Sequence, residues 1–401
     1  MKKVAFDDQR KADDADFIRQ LRLGGTFAEM LAKALKTGRR KDTIAAVAGH
    51  FRSRRAPCWL FYMHGTAWLE MNDRGAVLEK ADDLLRDRFR NSWHPHSVVN
   101  AHTAKGVDWD KALGGVHGSI TRNTFIPELS TAFSLTGNVE YIIKARELLY
   151  SFVKHFPFVL EAGFYEDHDR HFGGRANQTL CVGYRCLRWI DLMHSGALHA
   201  PGVFSDEDVF WLVKQLWFYA MQYYRFCGDD MRRDNHHLVD HGHVPYALGV
   251  AFPEFACSEE LVRQGRRTIH HHLRWNIFRD GGNAEHSTGY QYHIIYHYLN
   301  PLALSEANGM KLFDAEQKGR LRRWVEFNAR AARPDGRLAE FGDDAGTSLE
   351  YLFDPLAAPV MNARLAAFAR ALGYEPGPLQ YAVPAELERR FGNWRPGEPP
   401  N

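Results

Sequence analysis

The strongest constraint on this chain is that apolar residues recur at helical spacing along nearly its whole length, while alternating strand-like runs closed by hairpin turns are missing. In "NVEYIIKARELLYSFV", Val139, Ile142, Ile143, Leu149, Phe152 and Val153 fall on one helical stripe, with Asn138 as N-cap behind the helix-stopping Gly137. "SDEDVFWLVKQLWFYAMQYY" opens with Ser205 and Asp208 spaced as a capping box. Segments near 10–37, 75–90, 121–136, 178–196, 258–275, 287–307 and 314–331 are periodic in the same way. A chain so poor in strands must bury helix against helix. The expected fold is all-α: helical hairpins stacked or closed into an (α/α) toroid, an incomplete barrel. No short repeat of fixed period is present, which counts against a solenoid.

Composition removes several function classes. With 51 Lys+Arg against 49 Asp+Glu, the chain is too balanced for a dedicated nucleic-acid binder. No run of eighteen apolar residues exists, so no membrane insertion is expected. The N-terminus "MKKVAFDDQRKADDADF" lacks an apolar signal core; the expectation is cytoplasmic for the chain as it stands, periplasmic or secreted if it is a fragment. Cys58, Cys181, Cys186, Cys227 and Cys257 are scattered without a CxxC pair, so neither a zinc ribbon nor a disulfide framework is indicated.

Two stretches concentrate chemistry. "RRDNHHLVDHGH", Arg232 to His243, packs four histidines, two aspartates and an asparagine into twelve residues. His237 and His241 are four apart, a spacing two metal ligands can use, but no HExxH pattern is present, and Gly242 and Pro245 are expected to disturb the helix just beyond. No metal is assigned. Farther on, "RDGGNAEHSTGYQYHIIYHYL" places a turn at Asp280-Gly281-Gly282 and a helix start near Ser287. Tyr290, His293 and His297 can then share one helical face, with Tyr292 and Tyr296 on the neighbouring one. Taken alone these aromatics read as core residues with satisfied hydroxyls. A third polar loop, "PDGRLAEFGDDAGTS", carries Asp343 and Asp344, which read as turn and cap or as catalytic carboxylates. "TIHHHLRW" reads as a partly exposed helix surface without a role.

The pair "DNHH" and "DGGNAEHSTGY" resembles the N-terminal domain of the heparinase II/III-like polysaccharide lyases, with Asn235-His236 matching one motif and Glu285, Ser287 and Tyr290 the other. "SITRNTFIPELSTAFSLTGNVEYIIKARELLYSFV" and "GRLAEFGDD" extend the resemblance over roughly 75–375. Gln291 stands where the family often has histidine after the tyrosine, and Tyr292-His293 follows two residues on, so Tyr292 is the alternative functional tyrosine. The resemblance implies a single toroid catalytic domain over 1–375, with 1–75 as N-terminal helices outside the similarity. Residues 376–401 would be a linker toward a β-sandwich domain that this sequence does not contain. The chain is then a fragment, a shortened member, or half of a two-chain enzyme. No cofactor is required in this domain, and any structural metal would belong to the β-domain.

The implied reaction is β-elimination beside a uronic acid. The C5 proton is too weak an acid while the adjacent carboxylate keeps its full charge; a donor such as the Asn235 amide can quiet it, worth roughly 3–4 kcal/mol. His236 and Tyr290 would serve as base and acid, each proton transfer worth about 10²–10⁴-fold. His236 in a first helical turn would be favoured as the neutral base by the helix dipole, while Asp234 pulls the other way. Glu285 would orient these groups, and Arg175, Tyr292, His293 and Asp343 would contact substrate. Two other readings compete. An (α/α)-toroid glycoside hydrolase would draw two carboxylates from Asp280, Glu285, Asp343 and Asp344. A non-catalytic domain would only bind acidic glycans.

Overall fold

The computed structural model describes residues 14–22, 24–59, 74–91, 96–156, 179–226, 238–331 and 340–342. The helices are α1 (Asp14–Arg19), α2 (Gly25–Lys36), α3 (Arg40–Ser53), α4 (Arg74–Leu85), α5 (Trp109–Thr121), α6 (Phe125–Thr136), α7 (Val139–His155) and α8 (Thr179–His194). They continue with α9 (Asp206–Phe226), a π-helical turn (Val239–His243), α10 (Val244–Ala251), α11 (Ser258–Asn276), α12 (Thr288–Ala307) and α13 (Ala315–Ala331). Between α4 and α5 lie two small antiparallel pairs: β1 (Arg88–Arg90) with β2 (Val98–Asn100), and β3 (His102–Thr103) with β4 (Gly106–Val107). Successive helices pack on one another around a single apolar core, the all-α toroid of helical hairpins that the periodicity predicts.

The helix boundaries follow their caps. Asn138 Oδ1 accepts from the Glu140 N–H at 3.1 Å, and Gly137, at φ +75°, closes α6 in the left-handed conformation that glycine adopts freely. Ser205 and Asp208 form the expected box: Asp208 Oδ2 accepts from the Ser205 N–H at 2.8 Å, and Ser205 Oγ accepts from the Asp208 N–H at 3.2 Å.

Three expectations are corrected. The run 10–37 is two helices, because Leu21 leaves α1 to bridge Phe255 and Gly25 takes φ +54°. The run 75–90 ends at Leu85, where Asp87, at φ +57° and held by Lys144 and His102, turns the chain into β1. In α7 the apolar stripe is narrower than expected, for Val139 and Ile143 are 37% and 38% exposed while Tyr141, Ala145 and Leu148 complete the buried face.

Helix α10 is buried on every side, as an all-apolar helix must be. Its crossing with α11 is close because glycines line it. A Cβ on Gly265 would stand 2.5 Å from the Tyr246 nitrogen and 2.6 Å from the Gly242 oxygen, and one on Gly249 2.5 Å from the Ser258 oxygen. The disturbance expected at Gly242 and Pro245 takes the form of a π-helical turn: Gly242 sits in it against Ile269, and Pro245, which has no N–H to donate, follows in the first turn of α10.

The N-terminal helices are pinned on α9 and the α10–α11 link by paired charges. Lys214 reaches Asp14 at 2.8 Å, Arg40 grips Glu207 with two bonds of 2.7 Å, and Glu254 takes His50 at 2.7 Å and Arg54 at 3.0 Å. Lys214, with its side chain 1% exposed, is tolerable there because its charge is matched.

Candidate functional site

The site begins in the turn before α12. Phe278 N–H donates to Gly282 O at 2.8 Å, and Asp280 Oδ1 accepts from the Gly282 N–H at 2.9 Å, the local side-chain turn expected of Asp-Gly-Gly. Gly281 is at φ +98°, and a Cβ there would fall 2.1 Å from the Arg323 oxygen, so α13 presses directly on this turn. Arg320 adds to that buttress by donating to the Arg274 and Ile277 carbonyls at the end of α11, at 2.7 and 3.1 Å. Asn283 Oδ1 then accepts from the Glu285 N–H at 2.8 Å, which sets half-buried Glu285 just ahead of the helix. His286 takes φ +51°, and Ser287, buried, caps α12 by accepting from the Tyr290 N–H at 3.3 Å. Tyr290 is thus a half-buried residue of the first turn.

The third polar loop docks on the same helix start. Thr288 N–H donates to Phe341 O at 3.2 Å, and Gly342, at φ +69°, leaves its pro-Cβ position only 2.5 Å from His286 O. The loop end at Gly342 therefore packs on the His286–Thr288 segment that separates Glu285 from Tyr290.

Two turns farther along α12 lies buried His297. Its Nδ1 is 3.0 Å from Nδ1 of His243, in the π-helical turn, and its Nε2 is 3.3 Å from the Tyr184 hydroxyl on α8. His243 closes the histidine-rich stretch, so the two chemistry-bearing stretches meet inside the protein through this pair. Behind Tyr184 stand two guanidiniums, Arg122 at 4.8 Å and Arg188 at 5.7 Å from the ring centre. Burial, and secondarily the Arg122 charge, lower the Arg188 pKa to about 10, which leaves it cationic at neutral pH. Arg185 and Arg188 turn inward because they close the end of α5: Arg185 donates to Thr121 O at 3.1 and 3.2 Å, and Arg188 donates to Arg122 O.

Of the residues singled out in the sequence, Glu285 and Tyr290 both lie at this helix start. Asn235, His236, Arg175, Asp343 and Asp344 lie outside the described residues, as does His237. Tyr292 and His293 lie within α12, but their side chains are outside the description. The reading of "TIHHHLRW" is corrected at one position: His272 is 1% exposed, with its Nδ1 2.5 Å from the Tyr298 hydroxyl, because position 272 of α11 faces α12. His243, His297, Tyr184, Arg122 and Arg188 carried no sequence signal as a group. The histidine-rich stretch contained His243 and the Tyr290–His297 spacing contained His297, but nothing in either pointed to Tyr184, Arg122 or Arg188.

The family described as Heparinase II/III N-terminus matches residues 29–356, and the chain belongs to that family. The match starts at α2, earlier than the resemblance read from the motifs. Among solved structures the chain is similar to one described as heparinase III, with a TM-score of 0.67, 16% identity, and coverage of 88% of this chain and 55% of that one. It is also similar to a mutant heparan sulfate lyase from Pedobacter heparinus, with a TM-score of 0.62, 18% identity, and coverage of 92% and 56%. A heparinase III gene product with methylated lysines gives a TM-score of 0.61 at 18% identity, covering 91% and 57%. The chain spans a little over half the length of these structures, and at such identity the likeness is one of fold. No curated protein sequence matches it.

Proposed function

We infer that this chain carries the helical part of a polysaccharide lyase site, acting on a uronic-acid-containing polymer by β-elimination. The observation that supports it most is the packing of the two motif-bearing stretches on each other through His243 and His297, with Tyr290 in the capped first turn of the helix that makes the contact. In this reading the Asn235 amide hydrogen-bonds the uronate carboxylate, so that negative charge developing as C5 loses its proton is spread rather than concentrated. His236 and Tyr290 divide the proton work. One takes the C5 proton; the other, or the same tyrosine if proton and leaving group share a face, protonates O4 as the C4–O4 bond breaks. Glu285 orients this pair, and Arg175, Tyr292, His293 and Asp343 contribute substrate contacts. The reading asks no cofactor of these residues.

For the hydrolase reading, Asp280 is the weakest of the four carboxylates, because it is exposed and accepts from the Gly282 N–H in the turn. Heparan sulfate is the first substrate to try, given what the similar solved structures are described as, followed by chondroitin, hyaluronan and alginate. Cleavage is expected to generate the ultraviolet absorbance of an unsaturated uronate. Tyr290→Phe is expected to lower kcat by about 10²–10⁴-fold, the worth of one acid–base group. New reducing ends without that absorbance would replace this reading with hydrolysis, and saturable binding without any product would replace it with a glycan-binding role.

A further inference from the structure

The mechanism above leaves the buried His243–His297 pair without a proton to move. Three features indicate what it does. First, the contact is Nδ1 to Nδ1 at 3.0 Å, so one ring must donate and the other accept; two doubly protonated rings would set donor against donor. Second, His297 Nε2 meets the Tyr184 hydroxyl at 3.3 Å, which ties the tautomers into a chain. If Tyr184 donates to Nε2, His297 carries its proton on Nδ1 and donates to His243; if His297 donates to Tyr184, the order reverses throughout. Third, Pro301 lies inside α12 four residues after His297 and has no N–H, so the His297 carbonyl loses the helical hydrogen bond that residue 301 would have supplied. The helix is weakened at the turn that bears His297. Its N-terminal half, with Tyr290, runs from the Thr288–Phe341 bond at the helix start to the His243 contact at His297.

We propose that His243 and His297 form a positioning contact that fixes the rotation and height of the N-terminal half of α12, and thereby the place of the Tyr290 hydroxyl. The rest of the helix is held separately: Tyr298 by His272, and Ser305 by the Tyr246 hydroxyl at 2.7 Å. Those ties lie on or beyond the proline-weakened turn. Tyr184, fixed against Arg122 and Arg188, is the far anchor. A displacement of about 1 Å at a proton-transfer group is enough to cost about 100-fold in rate.

The catalytic consequence rests on the lyase reading, so the test has an arm that does not. His243→Phe fills the same space without a ring nitrogen, whereas His243→Asn offers an amide near the position of Nδ1. In the lyase assay His243→Phe is expected to lose kcat about 10- to 100-fold with KM little changed, and His243→Asn to recover most of it. Tyr184→Phe, which removes one hydroxyl and keeps the ring, is expected to fall between and covers the case in which His243→Phe does not fold. In the full chain labelled with ζ-¹³C tyrosine, the Tyr290 resonance, assigned by its loss in Tyr290→Phe, is expected to be single in the wild type and shifted or split in His243→Phe. An unchanged Tyr290 resonance overturns the positioning role whether or not any polymer is cleaved. Activity in His243→Phe equal to wild type overturns its catalytic consequence. A silent wild type with the resonance change as expected removes the lyase reading and leaves the positioning contact standing.

Discussion

At the residue scale, the turn before Tyr290 shows how few substitutions the site tolerates. Gly281 has both a left-handed φ and no room for a Cβ against the Arg323 carbonyl. Gly281→Ala is expected to cost about 1–3 kcal/mol, read as a lower denaturation midpoint, since strain and overpacking act together. Ser287→Ala removes the cap on the Tyr290 N–H and is expected to cost about 1 kcal/mol; a hydrogen-exchange measurement should show the loss confined to the first turn of α12. These local features were legible in the sequence, because Asp-Gly-Gly followed by Ser-x-x-Tyr specifies its own turn and cap. The His243–His297 contact was not legible. Its partners are 54 residues apart, and only the docking of α12 on the π-helical turn brings them together.

At the element scale, the α10–α11 crossing depends on Gly242, Gly249 and Gly265 as much as on the apolar residues around them. Gly265→Ala would push α11 away from the backbone of Tyr246 and Gly242. The expected loss is about 1–3 kcal/mol in urea unfolding, and unchanged stability would show that the crossing is looser than described. Helical periodicity predicted α11 to within a residue. It did not predict that Gly242 would sit inside a helical turn, because a glycine is ambiguous in sequence between a helix stop and a close helix contact. Periodicity also ran through breaks it had no means to register: Asn123 at φ +52° separates α5 from α6, and Asp87 diverts α4 into β1. The inward arginines of α8 look like solvent-facing charges in sequence. They are buried because the open carbonyls at the end of α5 lie opposite them.

At the scale of the whole molecule, buried and paired ionisable groups set the response to acid. Burial and the Arg54 charge hold the half-buried His194 imidazole down to about 3, so between about 3 and 6.5 the unfolded chain binds a proton that the folded chain refuses. Burial pushes the carboxyls of Glu254 and Asp208 up, but Arg54 and His50 at the first, and Tyr150, Ser205 and Arg146 at the second, outweigh it and keep both below the usual range. Their contribution is present above the unfolded carboxylate values and lost as pH falls through the depressed folded ones. Both effects have the same sign, and the urea midpoint is expected to fall steadily from pH 7 to pH 4, less steeply in His194→Gln; a flat or rising midpoint would contradict it. Because Glu254 joins α3 to the α10–α11 link, Glu254→Gln should loosen the N-terminal helices first. In the proposed lyase reaction Tyr290 moves a proton during β-elimination of an acidic polysaccharide. The direct measurement is product formation from heparan sulfate and the other uronate polymers by the wild type and Tyr290→Phe, followed by ultraviolet absorbance and reducing ends together. Absorbance rising in step with chain cleavage, and falling by about 100-fold or more in the variant, is the predicted result. Cleavage without the absorbance, or a variant as active as the wild type, would contradict it.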